Sequence, residues 1–341
     1  MRRALRCSTA ACSRCLRGRV AKTPACRQPT SWLKLRVVIQ TRDLSKRYNG
    51  TVALDGVSLQ VAPGSIGLLG ENGAGKTTFI KLLLGLLQPS SGSARVLSLD
   101  VARQGRKLRR RVGYMPEDEC LPPDISAMEF TARMGRLSGL PHEAALQRAN
   151  DVLHLVGLGE GRYRPMGGLS SGMKQRAKLA QALVADPELV LLDEPTSGMD
   201  PSGREEMLQL IGEIRENLGI SLLLSSHLLQ DIERVCDQVI ILSAGQVAAQ
   251  GPLSQLLGQA ARSVHLRLVG DVQAFRQALT QAGLSVHGSG MQLTVEGADD
   301  QVYDAIIEAA AQSGVQLRRL ERASRSLEEL FLALRKSEAR R

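Results

Sequence analysis

The sequence has no uninterrupted apolar run of the roughly eighteen residues or more that a membrane-spanning helix needs. Its apolar stretches are short, Leu189 to Leu192 among them. A membrane role would need another chain to do the spanning. Cysteine is scarce in the body: of six in 341 residues, Cys7, Cys12, Cys15 and Cys26 lie in the first 36, leaving Cys120 and Cys236. No disulfide framework is implied, and a reducing compartment fits. Those 36 residues also lack any acid while holding ten of the 44 Lys and Arg, so the remainder balances at 34 basic against 34 acidic. The net charge of +10 therefore belongs to one end. The neutral body gives no electrostatic support for duplex nucleic acid. Three readings fit the basic end: an organellar transit sequence, the start of an iron–sulfur or zinc pattern, or a disordered extension, an upstream over-reading of the start included, ahead of a domain beginning near Val37. No hydrophobic periodicity or second ligand cluster accompanies the cysteines, which favours the extension.

What is present is ordinary for a globular protein, 43% hydrophobic and 23% charged, at a length that allows two domains. After the apolar run Ile66 to Leu69 comes Gly70-Glu71-Asn72-Gly73-Ala74-Gly75-Lys76-Thr77-Thr78, then the apolar segment Phe79 to Leu87. Strand, glycine loop and helix follow in the order that gives the phosphate-loop pattern its meaning. Glycines let successive N–H groups turn inward, and a helix N-terminus adds its positive end. Lys76 would reach terminal phosphates and Thr77 would ligate Mg²⁺, with Thr78 beginning the helix.

Val37 to Thr41, Val57 to Val61, Ala94 to Leu97 and Val112 to Met115 read as strands. Tyr48 lies in the loop between the first two, before an Asn49-Gly50 turn. A helical insert follows: Ser126 with Glu129 opens a helix to about Ser138, and Pro141 opens one to about Leu155. Leu169-Ser170-Ser171-Gly172-Met173 leads into a helix over Ala177 to Ala185, either as a plain N-cap or as an anion-binding tip. Leu189 to Leu192 reads as a strand buried on both faces and ends in Asp193-Glu194. Unpaired buried charge is costly, so a cation and a proton acceptor's task account for that pair. Asp200 and Pro201 open a helix ending at Gly219. Ile220 to Leu224 precedes Ser225-Ser226-His227 and a helix from Leu228 to Val235, putting His227 at a strand's carboxyl end, where open α/β sheets bind ligands. Val239 to Ser243 and Gln246 to Ala249 form a hairpin-like pair, and Gly251-Pro252 begins a connector. Beyond it the order strand, helix, strand, strand, helix, strand from Val264 to Leu320 is the split βαβ of ferredoxin-like domains. A last helix carries Leu327, Leu330, Phe331 and Leu334 on one face.

Taken together, Gly70 to Thr78, Leu169 to Met173, the Leu189 to Leu192 strand with Asp193-Glu194, and His227 resemble the nucleotide-binding domain of ABC ATPases over Val37 to Gly251. The wording Val112-Gly113-Tyr114-Met115-Pro116-Glu117 and Gly172-Met173-Lys174-Gln175-Arg176 looks most like the ATP-binding subunits of ABC-2 type exporters. The resemblance implies an α/β P-loop NTPase with a RecA-like core, helical insert and antiparallel β-subdomain over 37–256. A basic extension over 1–36 and a small α+β ferredoxin-like domain over 257–341 flank it. It further implies ATP and Mg²⁺ as cofactors and a head-to-tail homodimer clamping two ATP between the Lys76 loop and Ser170 to Gly172 of its mate. A membrane permease on another chain would bind near Glu117 to Leu121, placing the protein on the cytoplasmic face of the membrane. Tyr48 matches the aromatic that stacks on adenine, Thr77 and Asp193 the metal contacts, Glu194 the general base, His227 the residue orienting water and γ-phosphate, and Asp200 the loop crossing to the mate. Three positions depart from the family: Glu117 stands for a glutamine that senses γ-phosphate and metal, Ser171 for the first of two glycines, Met173 for a glutamine. A soluble ABC ATPase acting on nucleic acid or ribosomes is the alternative, against which stand the single phosphate loop and the absence of a coiled-coil insert. A non-hydrolysing interaction module is opposed by Asp193-Glu194.

Overall fold

The computed structural model describes residues 37–260, 263–297 and 300–322. The basic extension and the helix expected over Leu327 to Leu334 lie outside the described residues. An antiparallel hairpin comes first, β1 (Ile39–Tyr48) and β2 (Thr51–Val61). Its turn residues Asn49 and Gly50 both have positive φ, 43° and 92°, which is what an Asn-Gly turn supplies. The strands run well past their apolar stretches, so Tyr48 ends a strand instead of lying in a loop. Register shifts around Asp43 (φ 48°) explain why alternation failed to show it.

The wholly buried β3 (Ser65–Leu69) leads through the glycine loop into α1 (Lys76–Leu83). That helix starts two residues before Thr78 and stops short of Leu87, where Gly85 (φ 65°) turns the chain. β4 (Ser91–Val96) returns to pair with β1, followed by β5 (Leu99–Asp100) and α2 (Val101–Arg109). Sequence reading missed α2 because it buries only Val101 and Leu108 among cationic neighbours; its apolar stripe is too thin to read.

β6 (Val112–Met115) precedes the helical insert of α3 (Ala127–Leu137) and α4 (His142–Leu155), followed by α5 (Ser171–Leu183). Ser126 caps α3 by accepting the Glu129 N–H at 3.1 Å. The chain continues through β7 (Leu189–Asp193), α6 (Pro201–Leu218), β8 (Ser221–Ser226), α7 (Leu229–Val235), β9 (Gln238–Ser243), β10 (Gln246–Pro252) and α8 (Leu253–Ala260). Asp200 occupies the N-cap position of α6 without a side-chain capping bond, and Gly219 (φ 62°) closes it. Gly251-Pro252 belongs to β10 rather than to a connector, since an edge strand tolerates proline. The expected boundary at 256/257 falls inside α8.

The main sheet has the order β10-β9-β3-β8-β7-β6, parallel except for β9 with β10, and the second sheet the order β2-β1-β4-β5. Period-two alternation along β7 divides two cores. Val190 and Leu192 pack with α5, α6 and the helical insert, whereas Leu189 and Leu191 pack with α1 and the antiparallel sheet. Residues 263–322 form β11 (Ser263–Val269), α9 (Val272–Gln281), β12 (Val286–Ser289), β13 (Gln292–Glu296), α10 (Asp300–Ser313) and β14 (Gln316–Arg322). Their order β12-β13-β11-β14, antiparallel throughout, is the ferredoxin-like split βαβ over a core of its own around Phe275, Leu279 and Ile306.

Candidate functional site: a phosphate cradle beside a buried carboxylate pair

The cradle is the turn between β3 and α1. Gly73 and Gly75 adopt φ of 84° and 100°, a region that L-residues with side chains rarely enter. A Cβ at Gly75 would stand 2.5 Å from the Ala53 carbonyl oxygen. Gly75 is also the N-cap of α1 and has no side chain to cap with, so the first-turn N–H groups of Lys76, Thr77 and Thr78 are offered to a ligand. Glu71, Asn72 and Ala74 complete the turn, with the Ala74 N–H on the Glu71 carbonyl at 3.1 Å. Lys76 is buried and donates to the carbonyls of Gly70 at 2.8 Å and Glu71 at 3.3 Å.

The adjacent strand β7 delivers the acids. Asp193 is fully buried, its Oδ1 accepting from Ser225 Oγ at 2.6 Å while its Oδ2 has no hydrogen-bond partner. The Glu194 N–H donates to the same Ser225 oxygen at 3.0 Å. Glu194 itself has φ 46°, a strained value of the kind found at functional sites. Its carboxylate is bracketed: Oε1 lies 3.2 Å from Lys76 Nζ, at ion-pair distance but without hydrogen-bond alignment, and Oε2 lies 2.9 Å from His227 Nδ1. A buried carboxylate between an ammonium and an imidazole, next to an anion cradle, is equipped to take a proton from water while its neighbours steer the attacked group.

Glu117, just after β6, joins this group electrostatically. Partial burial of an otherwise exposed carboxyl, then the negative charges of Asp193 and Glu194, raise its pKa. Among the described residues no cluster of three or more His, Cys, Asp or Glu is placed to hold a metal alone. Mg²⁺ fits such a donor set, because it is commonly held by one or two carboxylates together with substrate phosphates and waters. Asp193 Oδ2, buried without a hydrogen-bond partner, is an oxygen that fits such a donor set.

The serine tip lies at the start of a different helix, α5. Ser170 is the N-cap of α5, its Oγ accepting the Met173 N–H at 3.3 Å. Ser171, which stands for a glycine of the resembled family, turns its hydroxyl onto the Gly198 carbonyl at 2.8 Å, and Gly172 follows in the first turn. Tyr48 is exposed, with Lys46 Nζ 5.1 Å from its ring centre.

Sequence reasoning missed Asp231, whose buried carboxylate accepts from Thr196 Oγ1 at 2.9 Å, Ser226 Oγ at 3.1 Å and Arg204 Nε at 2.7 Å. It thereby ties the loop after Glu194, the residue before His227 and α6 together. Nothing at its position on α7 signals burial; the only trace is its spacing of four residues from His227.

Fold and site together define a phosphate-loop nucleotide hydrolase. The ABC transporter family pattern matches residues 54–197. The ABC transporter ATP-binding protein YxlF of Bacillus subtilis is 34% identical over 298 residues, 86% of this chain and 98% of the relative. The daunorubicin/doxorubicin resistance ATP-binding protein DrrA of Streptomyces peucetius is 31% identical over 303 residues, 87% of this chain and 92% of the relative. Among solved structures, cbiO1 of Clostridium perfringens, part of the ABC transporter complex cbiONQ, matches with a TM-score of 0.60 at 29% identity, covering 66% of this chain and 92% of that one. The chain belongs to the ABC transporter ATP-binding proteins. It is an ATP-binding and ATP-hydrolysing transporter subunit, and the ribosomal or nucleic-acid alternative finds no support among these relatives.

Proposed function

We propose that this chain energises export through a membrane-spanning permease carried on another polypeptide, and that it works as a homodimer on the cytoplasmic face of the membrane. The observation that carries the catalytic part is the Glu194 carboxylate held between Lys76 and His227 beside the glycine cradle. Glu194 accepts the proton of the attacking water, and His227 orients that water and the γ-phosphate. Residues 70–78 wrap the phosphates with N–H groups, and Lys76 exchanges its carbonyl and carboxylate partners for phosphate oxygens. Thr77, Asp193 and Glu117 would hold Mg²⁺ directly or through water, and the ion would supply neutralisation of phosphate charge. Tyr48 stacks on the base.

Dimerisation is supported by the two half-sites: the cradle and the Ser170 to Gly172 tip are each one side of an anion site, and head-to-tail pairing joins them. The loop beginning at Ser197 and ending at Asp200 crosses to the mate. Export is supported by relatives named for it, such as the Nod factor export ATP-binding protein I of Ralstonia nicotianae, 31% identical over 307 residues. No helix among the described residues is long and apolar enough to cross a membrane, so a permease seated near Glu117 to Leu121 supplies the path. The ferredoxin-like unit is an accessory domain.

The test uses Glu194→Gln in the full chain with ATP, by light scattering. A dimer that forms with ATP, retains it unhydrolysed and returns to monomer when nucleotide is removed is expected. A variant that stays monomeric with saturating ATP, or hydrolyses it at the wild-type rate, overturns the reading. Co-purification of a polytopic membrane protein whose presence raises ATP turnover tests the export role.

A further inference from the structure

Helix α5 grips two loops through two adjacent stripes of side chains. Ser171 and Gln175, four residues apart, bond the carbonyls of Gly198 at 2.8 Å and Ser197 at 3.0 Å. Lys174, Lys178 and Gln181 bond β6 and the chain just after it instead: Lys174 pairs with Glu119, Lys178 Nζ donates to the Glu117 carbonyl at 2.9 Å, and Gln181 Nε2 donates to the Tyr114 carbonyl within β6 at 2.5 Å. Spacings of three and four residues put each set on one side of a helix.

Lys178 is the unusual member, only 2% exposed. Withdrawing an ammonium from water is costly, and a methionine of similar length would fill the space without that cost. The ammonium adds two things: a donor to the Glu117 backbone, and a positive charge facing Glu117, Asp118 and Asp193. Burial lowers its pKa, while the Cys120 thiol and these three carboxyls act in the opposite direction. Glu117 puts one negative charge more on this loop than the glutamine of the resembled family, and Lys178 brings one positive charge to the same few residues.

We propose that Lys178 is a positioning residue for the metal response, a buried cation that fixes the backbone of Glu117 to the helix whose tip is Ser170. The inference rests on the reading of Glu117 as a contact to Mg²⁺ or its water. Through this link a shift at Glu117 is transmitted to α5 as a rigid element, and with it to Ser170 and, by way of Ser171 and Gln175, to Ser197 and Gly198.

The test takes Lys178→Met and Glu117→Ala, singly and together, in the full-length Glu194→Gln chain loaded with ATP. Mn²⁺ affinity is titrated by electron paramagnetic resonance, and amide exchange is followed over 115–121. Lys178→Met is expected to weaken Mn²⁺ binding about tenfold and to speed exchange in that segment, and to change Mn²⁺ affinity less than about twofold once Glu117 is already Ala. Lys178→Arg, which keeps charge and donor, is expected to recover most of the affinity. If Glu117→Ala weakens Mn²⁺ while a folded Lys178→Met does not, the role of Lys178 is refuted and that of Glu117 stands. If neither does, Glu117 is misread and the inference falls with it. An equal loss from Lys178→Met in both backgrounds shows action elsewhere and also refutes it. Lys178→Gln replaces Met if melting shows the Met variant unfolded, with the same readings.

Discussion

Replacing Glu194 by Gln removes one charge and little volume, and the surroundings of the side chain fix what should follow. The carboxylate lies 3.2 Å from the buried Lys76 ammonium. Two unit charges at that distance attract by about 5 kcal/mol at an effective dielectric of 20. Desolvation of both partners offsets most of this, leaving a net contribution of about 1 kcal/mol. In the proposed mechanism ATP takes Lys76 away from Glu194, so the neutral amide lowers the cost of binding by that amount and should tighten ATP about fivefold. The amide cannot accept the proton of water, and hydrolysis should fall by about 10² to 10⁴. Displacement of a fluorescent ATP analogue measures the first change and phosphate release the second. Weaker ATP binding would show that the ion pair does not compete with phosphate. Turnover within about threefold of the parent would remove Glu194 from the chemistry.

Lys76→Ala should abolish retention on an ATP-analogue resin with the fold intact by circular dichroism, because the cradle loses its only side-chain cation. Gly75→Ala combines a φ of 100° with a Cβ 2.5 Å from the Ala53 carbonyl; a loss of at least about 2 kcal/mol and failure to bind ATP are expected, measured by melting and by titration. Asp231→Ala strands the Arg204 guanidinium and the hydroxyls of Thr196 and Ser226. About 3 to 5 kcal/mol should be lost, seen as a drop in Tm of roughly 10 °C, and slowed hydrolysis in the surviving folded fraction.

The cradle and the acids were legible because their physics is local. A turn with φ of 84° and 100° demands glycine at 73 and 75, and two carboxylates after an apolar strand contradict simple burial. The split βαβ was legible because alternating and helical periods follow one another between clear turns. Other features depend on partners distant in sequence. α2 shows no apolar stripe, since Val101 and Leu108 alone anchor it. The long ends of β1 and β2 are held by main-chain bonds that side-chain identity does not announce. Asp231 and Lys178 read as surface charges on amphipathic helices; only the approach of Thr196 and Arg204 in one case, and of the Glu117 carbonyl in the other, makes their burial tolerable.

The alternation along β7 gives the strand an odd-and-even grammar. Leu191 answers to the layer that holds the glycine turn, Val190 to the layer that carries the serine tip. Shaving the odd neighbour should therefore be felt first at the glycine turn, and shaving the even one first at the serine tip, though the two side chains share a peptide bond. A ribbon only five residues long thus faces both layers at once, each through its own set of side chains.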